Sequence, residues 1–81
     1  MAFVAILMGS DSDLPVMQST VDVLKSFGIE YEVRITSAHR TPEDTRSYVS
    51  DADARGCAVF IAAAGMAAHL AGAVSAHTLR P

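Results

Sequence analysis

The run Ala2-Phe3-Val4-Ala5-Ile6-Leu7-Met8 constrains this chain more than any other stretch. It is apolar without alternation and is closed by Gly9-Ser10, which predicts a short strand buried on both faces. A strand with one wet face would alternate polar and apolar residues. This one therefore belongs in a parallel sheet with helices packed on both sides.

The remaining residues supply those helices. Gly9-Ser10-Asp11-Ser12-Asp13 is a turn rich in capping residues, and Leu14, Met17, Val21 and Leu24 then follow at the spacing of one helix face. The N-cap is expected at Ser12 or Asp13, with Pro15 in the first turn and Lys25 and Gly28 as the stop signal. Tyr31, Val33 and Ile35 alternate with Glu30, Glu32 and Arg34, the pattern of a half-exposed edge strand. Thr41-Pro42 followed by Asp44 predicts a second helix capped by the Thr41 side chain, running towards Arg55 with Tyr48, Val49 and Ala52 inward and Gly56 at its end. Cys57 to Ala63 reads as a third strand, apolar on both faces. Ala64-Gly65-Met66-Ala67 is a turn, and a helix of small residues runs on through Thr78.

The order β-α-β-α-β-α implies right-handed crossovers and a parallel sheet. The fold class expected is α/β, a flavodoxin-like three-layer α/β/α sandwich in which strand order begins 2-1-3. It stops after the third β-α unit, so residues 1–81 are expected to be the N-terminal part of a single domain, with one side of strand three unpaired.

Composition removes several classes of function. The net charge is -3 and the six cationic residues are scattered, which argues against a nucleic-acid partner held by its phosphates. The single cysteine, Cys57, has no internal disulfide partner, and three scattered histidines give no metal-site spacing. The opening residues lack a basic leader region, so a cytoplasmic address is expected. Cys57 to Ala76 carries no charge over the length of a membrane span, yet it is rich in Ala and holds Gly65, Gly72 and His69, so a strand, turn and helix is the better parse.

In this topology the turns after the three strands open on one edge of the sheet. His39 and Arg40 lie in the loop before a helix start, where partial positive charge collects. The Ser10 turn can hold a phosphate or merely cap a helix. Asp13 can take sugar hydroxyls or simply favour the helix dipole. Gly65 permits close approach of a ligand or tight packing, and His69 is either a second site residue or a helix histidine. No Walker loop or G-x-G-x-x-G is present, so ATP and dinucleotides are not indicated.

Taken together, Gly9-Ser10-Asp11-Ser12-Asp13, Ser37-Ala38-His39-Arg40-Thr41-Pro42 and Ala64-Gly65-Met66-Ala67-Ala68-His69-Leu70 closely resemble the signature of the N5-carboxyaminoimidazole ribonucleotide mutase family of purine biosynthesis. The Ala67-Ala68-His69-Leu70 block is similar to the microbial class and unlike the animal-type carboxylase. Met66 departs from a position where glycine is common, and Ala71 from one where proline often follows. The resemblance implies an isomerase that moves a carboxylate from N5 to C4 of aminoimidazole ribonucleotide, with no ATP, metal or organic cofactor. It implies His39 as the catalytic proton carrier, Ser10 and Arg40 at the phosphate, and Asp13 at the ribose. Ser12, Ser37, Ala38, Gly65, Ala68, His69 and Leu70 complete the implied substrate-binding set. It further implies a small ribonucleotide as partner, a five-stranded domain and a homo-octamer, of which this chain covers the first half and from which no turnover is expected alone. The alternative from another class is a non-catalytic flavodoxin-like nucleotide-binding module. A phosphorylated receiver is ruled out, because strand three ends in Ala62-Ala63-Ala64 and offers no Asp there.

Overall fold

The computed structural model describes residues 2–64 and 69–81. Strands β1 (Phe3–Met8), β2 (Tyr31–Ile35) and β3 (Cys57–Ala63) alternate with helices α1 (Leu14–Ser26), α2 (Pro42–Ala54) and α3 (Leu70–Ser75). The sheet is parallel in the order β2-β1-β3, so the apolar N-terminal run becomes the central strand. Ala5, Ile6, Leu7 and Met8 have no solvent exposure at all.

Alternate residues of β1 feed two separate cores. Ile6 and Met8 pack against Val21 and Leu24 of α1, with Met17, Tyr31 and Ile61 at the margin. Phe3, Ala5 and Leu7 pack against Tyr48, Val49 and Ala52 of α2 and Leu70 and Val74 of α3. Each fully buried aliphatic side chain contributes about 1.5–3 kcal/mol. This is the three-layer α/β/α, flavodoxin-like arrangement the periodicities predict.

The helix ends differ in detail from expectation. Asp13 is the N-cap residue of α1, one of the two positions expected, but its side chain caps nothing: a short 3-10 turn, Asp11–Asp13, precedes the helix, and the Ser10 hydroxyl accepts the Ser12 N–H at 3.2 Å. Thr41 is the residue before α2 but its side chain caps nothing in that helix. At the other ends the glycines behave as expected. Gly28 takes φ +68, which lets its N–H reach the Lys25 carbonyl and the Ile29 N–H reach that of Leu24; Gly56, at φ 97, closes α2.

β2 is an edge strand, but its alternation does not bury its apolar side. Val33 and Ile35 remain 40% and 47% exposed, lying on the α1 face beyond the reach of that helix. β3 is likewise less covered than its composition suggests. Only Cys57 is buried and Val59 is exposed, because among the described residues β3 has a strand neighbour on one side alone. α3 ends at Ser75 rather than Thr78. Thr78 instead donates its hydroxyl to Asp53 Oδ2 at 2.6 Å, Arg80 Nε donates to Asp53 Oδ1 at 2.9 Å, and the Pro81 carbonyl accepts the Phe60 N–H at 2.8 Å. The tail thus turns back along the outer side of β3. No helix among the described residues is long and apolar enough to cross a membrane.

Candidate functional site

The C-terminal ends of the strands are level. The Thr36 N–H donates to the Met8 carbonyl at 2.9 Å and the Gly9 N–H to the Ala63 carbonyl at 3.2 Å, so the loops after β1, β2 and β3 leave from one edge.

The loop after β2 is wound tightly around Ser37. Its Oγ accepts the N–H groups of His39 and Arg40, at 3.3 and 3.1 Å. Thr41 Oγ1 accepts the Ser37 N–H at 2.9 Å and donates to the Ser37 carbonyl at 3.2 Å. What a cap at Thr41 would have done for α2 is done for the loop instead. The result is an exposed His39 ring held over the mouth of the sheet, with its centroid 5.3 Å from that of His69 and the planes tilted by 35°. His69 stands immediately before α3. Two histidines thirty positions apart in sequence are thus neighbours.

Beside them lies a cleft of about 310 Å³ lined by Gly9, Ile35, Thr36, Ser37, Arg40 and Thr41. Arg34, Arg46, Arg55 and Arg80 are all engaged with carboxylates, and Arg40 makes no ion pair among the described residues. It is the cation the fold leaves available at this edge, and a guanidinium suits a phosphate. The Ser10 and Ser12 hydroxyls are 3.0 Å apart at the neighbouring turn. Asp13 lines a smaller hollow of about 200 Å³ with Met17 and Ala63.

The other sequence-derived positions fall less directly at the mouth. Ala38 packs against the α2–α3 core, and Leu70 is buried within it at 2% exposure. Gly65 and Ala68 lie outside the described residues. No group of three or more metal-ligating side chains occurs among the described residues.

Sequence reasoning passed over two residues that support this loop, Thr36 and Thr45, both buried. Isolated threonines at a strand end and on an inward helix face carry no periodic signal that would have marked them. A larger surface hollow, about 690 Å³, lies at the opposite end of the sheet around Phe3, Tyr31, Glu32 and Arg55. There Arg55 donates to Glu32 at 2.6 and 2.8 Å and to Asp51 at 2.7 Å, so no free cation is left to attract an anion. The Arg55 guanidinium, helped by the Tyr48 hydroxyl, holds the Glu32 carboxyl down at about 2. Burial, and then the Glu32 carboxylate, push the Tyr48 phenol well above its ordinary range.

The sequence profile described as AIR carboxylase matches residues 3–81. N5-carboxyaminoimidazole ribonucleotide mutase of Thermotoga maritima is 54% identical over 78 residues, which cover 96% of this chain and 46% of that protein. Phosphoribosylaminoimidazole carboxylase of Saccharomyces cerevisiae is 55% identical over 78 residues, covering 96% of this chain and 14% of that much longer one. The crystal structure of Treponema denticola PurE superposes with a TM-score of 0.89 at 39% identity, over 96% of this chain and 50% of that one. The chain spans about half the length of the curated mutases it matches. With a match over nearly its whole length, in sequence and in fold, the chain belongs to the AIR carboxylase family.

Proposed function

We propose that this chain supplies the ribonucleotide-binding and proton-carrying half of an N5-carboxyaminoimidazole ribonucleotide mutase of purine biosynthesis. The observation that carries the reading is the meeting of His39 and His69 at 5.3 Å next to Arg40, which makes no ion pair among the described residues. In the reaction so assigned, the N5–carboxylate bond breaks and releases CO2 while N5 takes a proton. C4 then bonds to the same CO2 and gives up its own proton. The two proton movements cancel, so one group can serve both. An imidazole with an ordinary pKa of about 6.5 gives and takes a proton near neutrality, and His39 has that role. Arg40 and the Ser10-Ser12 turn hold the phosphate, Asp13 the ribose, and Ser37, Ala38, Gly65, Ala68, His69 and Leu70 wall the imidazole and the migrating carboxylate.

On this reading residues 1–81 are the N-terminal part of one domain, and the whole enzyme is a cytoplasmic homo-octamer. The name and length of the mutase relatives support the first point. The apolar surface left at Val33, Ile35 and Val59 is the kind of surface an assembly covers.

The test is a chimera in which residues 3–81 replace the matching half of the Thermotoga maritima mutase. Carbon NMR follows a labelled N5-carboxylate. Appearance of the label on C4 without ATP is the expected result. A folded chimera that binds aminoimidazole ribonucleotide and leaves the label on N5 overturns the enzyme reading and leaves a nucleotide-binding module.

A further inference from the structure

A buried row of hydroxyls ties the base of the His39 loop to the interior of α2. Thr36, just past β2, and Thr45, one turn into α2, are 2% and 1% exposed, and their Oγ1 atoms are 2.8 Å apart. Thr36 Oγ1 also lies 3.3 Å from Thr41 Oγ1. A hydroxyl has one proton to give. That of Thr45 goes to the Thr41 carbonyl at 3.2 Å, and that of Thr41 to the Ser37 carbonyl at 3.2 Å. The Thr36 proton is thereby left for Thr45 Oγ1 or for the neighbouring Asp44 carboxylate, whose pKa the Thr36 hydroxyl lowers. From Thr41 the bonds continue through the Ser37 N–H, and from Ser37 Oγ to the amides of His39 and Arg40. Hydrogen bonds joined through the covalent frames of Thr41 and Ser37 therefore lead from the core side of α2 to the two amides that carry the imidazole and the guanidinium.

Packing alone does not require this. Valine has the shape of threonine, and a strand end facing a helix would ordinarily be filled by aliphatic side chains. A buried hydroxyl without a partner is costly, so the row holds together only when every member is in place. We infer that Thr36 and Thr45 are positioning residues: their buried hydroxyl pair fixes the pitch of the Ser37–Thr41 turn and so holds the His39 ring against His69. This role deepens the proposed function, because it rests on reading His39 as the proton-carrying group of that site.

The test uses three variants of the 81-residue chain. Thr45→Val and Thr36→Val keep shape and remove a hydroxyl, while Thr45→Ser keeps the hydroxyl and removes a methyl. Proton NMR reads the cross-relaxation peak between the His39 and His69 rings, which needs no substrate. The peak is expected in the parent chain and in Thr45→Ser, and is expected to vanish in both valine variants, with shifted His39 and Arg40 amides. In the chimera, the valine variants should lower kcat by up to about 10²-fold, the scale of loss for a catalytic group misplaced by about 1 Å, with KM little changed and Thr45→Ser restoring kcat. Valine variants that keep the ring–ring peak and lose only thermal stability overturn the inference. So does a folded Thr45→Ser chain that lacks the peak, whether or not the valine variants fold. If the peak follows the hydroxyls while the chimera moves no carboxylate, positioning stands and the mutase reading falls.

Discussion

His39 and His69 face each other at 5.3 Å although they belong to loops that follow different strands. Neither loop could place its ring there without β1 between them, since β2 and β3 meet only through that strand. In the chimera, His39→Asn should reduce turnover by about 10²–10⁴, the range for loss of a general acid–base group. Asparagine keeps a polar planar side chain, so binding of the ribonucleotide should change little. Calorimetric titration beside the turnover assay checks both; lost binding with intact turnover would contradict the role given to His39.

Arg40 is the cation at the sheet edge without a carboxylate partner among the described residues. Arg40→Ala should weaken ribonucleotide binding by about ten-fold or more, as expected for losing a charge-assisted bond, and should make what remains less sensitive to salt. Arg40→Lys should recover only part, because an ammonium cannot make the two parallel bonds of a guanidinium. Titrations at two ionic strengths decide it.

Glu32 ties the far end of the sheet to α2 through Arg55 and Tyr48, and its carboxyl sits at about 2 against an ordinary 4.5. A carboxylate depressed by folding stabilises the native state above its unfolded pKa. That contribution is lost as pH falls from about 4.5 towards 2. Both partners are partly exposed, so solvent screens the pair and its contribution is small. Urea unfolding of Glu32→Gln should show a slightly lower midpoint at neutral pH and a shallower loss of stability on acidification.

Val33, Ile35 and Val59 are exposed on the α1 face of the sheet, and Val16 and Phe27 on either end of α1 are 76% and 75% exposed. That much uncovered apolar surface on a domain of this size should drive association. Sedimentation of the 81-residue chain should show concentration-dependent oligomers, and Val59→Lys should shift the distribution towards monomer. A concentration-independent monomer would show that this surface is tolerated in water.

Most of the architecture was legible because the two periodicities differ so clearly. Unbroken apolar residues in Phe3–Met8 and i, i+3, i+7 spacing in Leu14–Leu24 leave few alternatives. The bounds of β3 were readable because Gly56 and the turn after Ala63 punctuate it. Its exposure was not, since burial on both faces depends on neighbours that sequence-local patterns do not count. The role of Thr41 was hidden for a related reason. Its spacing to Asp44 is that of a helix cap, but a backbone amide at Ser37 competes for the same oxygen and wins. The facing of His39 and His69 followed from topology alone. The hydroxyl row beneath them did not, because single threonines carry no periodic signal.

The central position of β1 has a consequence for how the chain comes into being. The strand that both others lean on is made first, yet its second edge is not satisfied until Cys57–Ala63 has been synthesised. During that interval the most apolar hexapeptide of the protein waits with open hydrogen-bonding groups and no charged residue inside it to discourage a wrong partner. Loss of Phe3–Met8 would therefore remove the template against which both other strands are paired.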